Sequence, residues 1–172
     1  MAETIPEVVP DPSPSDVLAI ITRAVFQAGV SWSQIAKQWD AYERAFHAFD
    51  PAAVAAFGES DIDFVLSQPG ILRTPRKVRA TIANAGALLT LLAQFGTFDR
   101  YTDSFENYDA LARDMRERFS FLGEMNVWYV LFRAGRPVPR FEPWVATIKG
   151  DHPRMREMVE LARRQGRSPE RD

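Results

Sequence analysis

Twice in this chain a residue able to cap a helix is followed directly by proline, at Asp50-Pro51 and Thr74-Pro75. A side-chain oxygen at the N-cap, followed by a proline whose missing N–H the first turn does not need, fixes a helix start. The stops are as frequent, at Gly29, Gly58, Pro69-Gly70 and Gly96. Between starts and stops the apolar residues recur at intervals of three and four. Positions 17, 18, 20, 21, 24, 25 and 28 predict a helix that opens at Ser15 and ends near Gly29. Ser31 is read as the cap of a helix over 32–48, with Ile35, Trp39, Tyr42 and Phe46 on one face. A short helix follows Asp50-Pro51, and Ser60 starts another. A long helix runs from Pro75 to about Phe95, with Val78, Ile82, Ala85, Leu88, Leu89 and Leu92 inward. A last helix covers about 153–164. No window alternates at period two and no segment repeats, so the fold class is all-α with roughly eight helices.

Residues 119–135 join two of these helices. The sequence Phe119-Ser120-Phe121-Leu122-Gly123 is a tight turn, and the apolar run after it stops at Gly135. With the helix over 108–118, this makes a helix, a short hairpin and a helix. The N–H groups of such a hairpin and of the following helix start form a nest suited to an anion, DNA phosphate among them. The same residues also suit an ordinary buried helix pair.

Composition narrows the function classes. The 172 residues suit one domain, and 46% hydrophobic with 26% charged residues is ordinary for a soluble globular protein. There are no cysteines and two histidines, which excludes disulfides and zinc-thiolate or iron–sulfur sites. Neither a metal nor a cofactor is expected. The longest unbroken apolar run, 127–132, is too short to span a bilayer, so no membrane is expected and the cytoplasm is the expected compartment. Net charge is −2, but its distribution is uneven. Residues 1–16 carry four acids and no base, whereas Arg73, Arg76, Lys77 and Arg79 form a block without acid. From 133 to the end there are ten basic and six acidic residues. Base gathered in two blocks suits one positive face, or simply solvated helix faces. Residues 1–14 hold four prolines and read as an extended or disordered tail outside the core. The ordered domain is expected over 15–166, and 167–172 as a frayed end.

Three blocks carry a resemblance. They are Gln27-Ala28-Gly29-Val30-Ser31-Trp32, Phe46-His47-Ala48-Phe49-Asp50-Pro51 with Val54-Ala55-Ala56, and Gly70-Ile71-Leu72-Arg73 with Arg76-Lys77-Val78 and Ile82-Ala83-Asn84-Ala85. In order and spacing the chain resembles the DNA-3-methyladenine glycosylase I family, within the helix-hairpin-helix glycosylase superfamily. The resemblance covers about residues 15–148. It implies an all-α fold in two lobes and a monomer acting on double-stranded DNA that contains a damaged base. Two departures stand out. The family's zinc ligands are missing: the N-terminal ligand segment is replaced by the Pro/acid tail, and Trp144 stands in the place of a ligand histidine. The family's pocket glutamate is replaced by Ala24.

What the resemblance implies for single residues follows. Trp32 matches the tryptophan that stacks on the extruded base; an indole face also attracts a cationic alkylated purine. Gln27 would read a base edge, and Phe26 and Ala24 would border the same pocket. Gly29 and Val30 match the loop that fills the gap left in the duplex. Thr74, Arg76 and Lys77, at a helix start, would hold phosphate, as would Leu122, Gly123, Met125 and Asn126 in the hairpin. Glu142 is the candidate carboxylate to stabilise an oxocarbenium-like sugar. Met125 occupies the place where bifunctional relatives carry a lysine, so the expected reaction is hydrolysis without strand cleavage. Two alternatives stay open: a non-catalytic or altered-specificity DNA-binding relative, and a helical interaction module without a DNA role.

Overall fold

The central helix is α1 (Pro14–Gln27), and its start explains its place. Ser13 accepts a hydrogen bond from the Asp16 N–H at 3.1 Å, and the Ser13 N–H donates to the Asp16 carboxylate at 2.9 Å. This reciprocal box, with Pro14 in the first turn, fixes the start two residues before the expected Ser15 cap. Val17, Leu18, Ile20, Ile21, Val25 and Phe26 are all buried, so α1 is covered almost all round.

The protein is seen here as a computed structural model, which describes residues 5–172. After α1 come α2 (Trp32–Lys37), α3 (Trp39–Ala45), a 3-10 turn (His47–Phe49), α4 (Pro51–Ala55), α5 (Glu59–Ser67), α6 (Pro75–Phe95) and α7 (Phe98–Asp103). Then follow α8 (Tyr108–Arg118), α9 (Glu124–Arg133), β1 (Val138–Pro139), α10 (Phe141–Val145), α11 (Pro153–Arg164) and β2 (Glu170–Arg171). Helices α4, α5 and α7 pack on α6, while α8 and β1 pack on α9. Helix α1 touches both α6 and α9 and so joins the two lobes.

The fold is all-α, as expected, apart from one short parallel pair in which Val138 faces Glu170. Several boundaries differ from expectation for physical reasons. The helix predicted over 32–48 is broken into α2, α3 and the 3-10 turn. His47, Ala48 and Phe49 have φ of 52°, 53° and 58°, a left-handed turn that reverses the chain. Such residues are strained, and the strain is offset by stacking. Phe49 lies parallel to Trp39 at 5.2 Å and to Phe46 at 5.8 Å. Helix α5 is capped at Gly58, whose N–H donates to Asp61, rather than at Ser60. In α6 the buried face is Val78, Ala85, Leu88 and Leu91; Leu89 is 37% exposed. With 21 residues and a mean hydropathy of 1.2, α6 has the length and composition of a membrane span, but it packs as a core helix.

Both ends of the chain correct the sequence reading. Residues 1–4 lie outside the described residues, but the rest of the N-terminal tail is not separate from the core. Val8 is 7% exposed, the Val9 N–H donates to the Arg133 carbonyl at 2.6 Å, and Arg133 Nε donates to the Glu7 carbonyl. The prolines keep this segment extended, and extension lets it lie along the end of α9. The C-terminal tail is not frayed either. Glu170 accepts from the Phe141 N–H at 2.8 Å and from Arg163 Nε at 2.7 Å, which pins β2 beside β1. Trp144 stacks on Trp128 at 5.0 Å, and Phe132 and Phe141 complete an aromatic cluster beneath α10.

Candidate functional site

Helix α1 ends at Gln27, and the turn after it is built to close. Gly29 takes φ +75°, a conformation that favours glycine, and the Val30 N–H donates back to the Gln27 carbonyl at 3.0 Å. Lys77 reaches in from α6, and its Nζ donates to the Ala28 carbonyl at 2.8 Å and the Phe26 carbonyl at 3.3 Å. The last carbonyls of α1 thereby receive a cation where the helix dipole favours one. Beyond the turn Trp32 opens α2 and meets Tyr129 of α9 edge-on, with ring centroids 5.5 Å apart.

These residues wall a cavity of about 460 Å³. One side is Gln27, Gly29, Val30 and Trp32, and the other is Met125, Asn126 and Tyr129. Residues 151–155, leading into α11, complete it. The walls suit a flat aromatic guest: the rings of Trp32, Tyr129 and His152, the thioethers of Met125 and Met155, the amides of Gln27 and Asn126, the Asp151 carboxylate and the Arg154 guanidinium. A second cavity of about 400 Å³, between Phe105, Tyr108, Arg136 and Pro139, contains none of the residues predicted from sequence.

The structure gathers Gln27 and Trp32, expected at the base, with Gly29, Val30, Met125 and Asn126, expected at the DNA strand, around this one cavity, and it separates others. Phe26 is wholly buried against Tyr42 at 4.9 Å and is a core residue. Ala24 is buried and does not line the cavity; its carbonyl accepts from Asn126 Nδ2 at 3.4 Å. Lys77 is buried under the α1 turn instead of facing phosphate, and burial pulls its pKa below the usual lysine value. Glu142 is the largest correction. It does not line the cavity, and both its oxygens accept from Arg163, at 2.6 and 2.7 Å. Those hydrogen bonds from Arg163 hold its carboxyl at about 2. A carboxylate locked on arginine at the C-terminal end is a clamp for α10, α11 and β2. The carboxylate that does line the cavity is Asp151, the one acid among the described lining residues. It stands in the turn Gly150-Asp151-His152-Pro153, with Gly150 at φ +109°. A Gly-X-X-Pro turn ahead of a helix was the available signal for it.

The hairpin between α8 and α9 is held rigidly. Asn84 of α6 accepts from the Ser120 N–H at 2.7 Å and donates to the Ser120 carbonyl at 3.1 Å. Asn126 Nδ2 donates to the Phe121 carbonyl at 3.2 Å, so its side chain braces the loop. Leu122 is buried as the hairpin's anchor. Phe121, at φ +63°, is left 41% exposed with the Arg76 guanidinium over its ring at 5.5 Å. The N–H groups at the start of α9, from Gly123 through Asn126, have no acceptor within that helix. Arg76 is exposed beside them, and Thr74 is the N-cap of α6.

The sequence pattern of the methyladenine glycosylase family matches residues 9–133, which include both the cavity loop and the hairpin. The chain belongs to that family. DNA-3-methyladenine glycosylase 1 of Escherichia coli (strain K12) is 30% identical over 136 residues, covering 67% of this chain and 73% of that protein. The 3-methyladenine DNA glycosylase I of Staphylococcus aureus, solved to explain 3-methyladenine recognition, superposes with a TM-score of 0.64 at 26% identity, over 76% of this chain and 79% of that one. A solution structure of a 3-methyladenine DNA glycosylase I gives 0.61 at 27% identity, over 74% and 79%. Methyladenine glycosylases are DNA glycosylases, so the chain's class is hydrolase and its substrate DNA. A zinc ion does not fit the residues here. There is no cysteine, the Trp144 ring is committed to stacking, and among the described residues no group of His, Cys, Asp or Glu could hold a metal. Asp151 and His152 lie beyond the matched region.

Proposed function

We propose that this protein is a monofunctional DNA glycosylase of base excision repair, acting as a cytoplasmic monomer on double-stranded DNA that carries a damaged base. The observation that carries this reading is the cavity lined by the touching rings of Trp32 and Tyr129, beside a phosphate-suited hairpin. The damaged nucleotide leaves the stack and its base enters the cavity against the Trp32 face. Extrusion costs a few kcal/mol, less where the base pairs poorly, and stacking on the aromatic face returns about 1–3 kcal/mol. Val30 fills the space left in the duplex. The hairpin N–H groups and Arg76 hold the strand by its phosphates.

The reaction breaks the bond between C1′ of the sugar and the base nitrogen. The bonding electrons leave with the base, which gains a proton, and positive charge develops on the sugar. Asp151, the carboxylate at the cavity, stabilises that charge and orients the water whose oxygen bonds to C1′ and whose released proton balances the one the base gains. The products are the free base and an abasic site. Met125 offers no amine for attack on C1′, so the strand stays intact.

Trp32→Ala tests the reading. Release of base from damaged duplex should fall roughly ten- to hundredfold, while affinity for undamaged duplex is unchanged. Unaltered release by the variant would remove Trp32 from the reaction and with it this use of the cavity.

A further inference from the structure

Phe121, in the hairpin between α8 and α9, is placed in a way the fold does not explain. Its backbone takes φ +63°, a left-handed conformation that is unfavourable for a bulky residue, and its ring is 41% exposed. For Phe49, at φ 58°, stacking inside the core offsets the same strain. Phe121 lies outside the core cluster. A strained residue with an exposed ring points to a use beyond the fold. The backbone that presents this ring is held firmly. Asn84 accepts from the Ser120 N–H at 2.7 Å and donates to the Ser120 carbonyl at 3.1 Å. Asn126, in the cavity wall, donates to the Phe121 carbonyl at 3.2 Å and so ties the ring's backbone to the cavity assigned above to the base.

The surroundings of the ring are open and positive. The Arg76 guanidinium lies over it at 5.5 Å. Glu124, the one acid of the hairpin, is paired with Arg116 at 3.4 Å. A Cβ added at Gly123 would meet nothing within 4 Å. An aromatic face, a cation and the helix-start N–H groups thus share one accessible surface. A nucleotide's sugar and phosphate fit it together. The N–H groups and the guanidinium suit the phosphate oxygens, and the adjoining deoxyribose offers a C–H face that an aromatic ring can cover. We propose that Phe121 is a DNA-contact residue: its ring packs on the deoxyribose beside the phosphate that the hairpin holds, and fixes the strand next to the cavity. The contact touches no base edge, so it adds affinity without preference for sequence or lesion. The proposal rests on the phosphate role given to the hairpin in the reading above.

Phe121→Asn is the direct test, because it removes the ring and puts at this φ a residue that tolerates it. The full chain is titrated with undamaged and with alkylated duplex over a salt series, and base release is followed in single turnover at saturating enzyme. Affinity for both duplexes should fall roughly tenfold, the effect of an aromatic face no longer covered. The factor should be the same at every salt concentration, because no charge is lost. The release rate at saturation should stay at the wild-type value, and Tm within roughly 4 °C of it. Phe121→Tyr keeps the ring and should restore affinity to within about twofold. The proposal is overturned if Phe121→Asn binds as tightly as wild type, if Phe121→Tyr fails to restore binding, or if Tm falls by roughly 10 °C or more, which would make the ring structural. A salt slope reduced by about one also overturns it, since the ring would then act only by supporting Arg76. Weaker binding by Phe121→Asn, with no base release by the wild-type protein, refutes the glycosylase reading and keeps the contact. Base release by the wild type, with undiminished binding by the variant, does the opposite.

Discussion

Replacing Lys77 by methionine separates two readings of one residue. In the sequence it belongs to a basic block that suits phosphate, but in the structure its ammonium is inside, on the carbonyls of Ala28 and Phe26 at 2.8 and 3.3 Å. Methionine keeps the length and apolar stem and removes the charge and both hydrogen bonds. A hydrogen bond from a charged donor contributes about 1.5–3 kcal/mol, and the longer one less. Part of that gain is offset by taking the ammonium out of water, the same burial that lowers its pKa. A net loss of roughly 2 kcal/mol follows, and for a domain of this size it lowers Tm by roughly 4–8 °C. Because the lost contacts close the turn at Gly29, the cavity loop should also become more open to hydrogen exchange at Val30. The measurements are thermal melts, amide exchange, and duplex affinity against salt concentration. The slope of log affinity on log salt should stay at the wild-type value. An unchanged Tm together with a slope reduced by about one would show that Lys77 meets a phosphate, and would refute the reasoning.

The other variants divide the remaining roles. Asp151→Asn should slow base release by about a hundredfold and Glu142→Gln by no more than about twofold, in a single-turnover assay. Glu142 should appear instead in acid stability. Its carboxyl is held at about 2, so its contribution is present above the ordinary value of 4.5 and is lost as pH falls through about 2. The side chain is 47% exposed, which screens the effect to about 1 kcal/mol, seen as a smaller loss of stability on acidification in Glu142→Gln than in wild type. Arg76→Gln should weaken binding to all duplexes alike and reduce the salt slope by about one, as filter binding across a salt series reads. Val8→Asp buries an unpaired carboxylate and should cost about 3 kcal/mol, or roughly 6–12 °C in Tm.

What was legible in the sequence was local. A proline acts within one turn, so the starts at Pro51 and Pro75 and the stop at Gly96 fall where the structure has them, although neither the Asp50 nor the Thr74 side chain makes the expected cap hydrogen bond. The cavity loop was legible for the same reason, since Gln27 to Trp32 is one continuous run. The errors at the chain ends and among the site residues are long-range. Val8 joins the core through α9, more than a hundred residues away, and no pattern in a proline-rich segment announces that contact. Arg76 and Lys77 are adjacent in sequence but about 100° apart around the helix, so one faces solvent and the other the interior. Glu142 stands at about the place after the hairpin where the resemblance implies a carboxylate. The fold gives it to Arg163 and brings Asp151, nine residues later, to the cavity instead.

Arg23 and Lys77 make the clearest comparison, because the fold buries two cations near the end of one helix and treats them differently. Lys77 arrives from outside α1 and meets carbonyls past the last turn, which have no partners within the helix. Arg23 lies within α1, where every nearby carbonyl is already bonded to an N–H four residues on. No side-chain acceptor takes its Nε or Nη2, and the amide nitrogen of Gln27 has no acceptor either. Burying a cation is costly, and here the protein supplies only an aromatic face in return. In Lys77 the cost is met within the fold, so its loss should be read in Tm. In Arg23 it is not, so its substitution should cost less stability than the loss of Lys77. Thermal melts compare them: Arg23→Met should lower Tm by less than Lys77→Met, and an equal or larger loss would refute the reasoning.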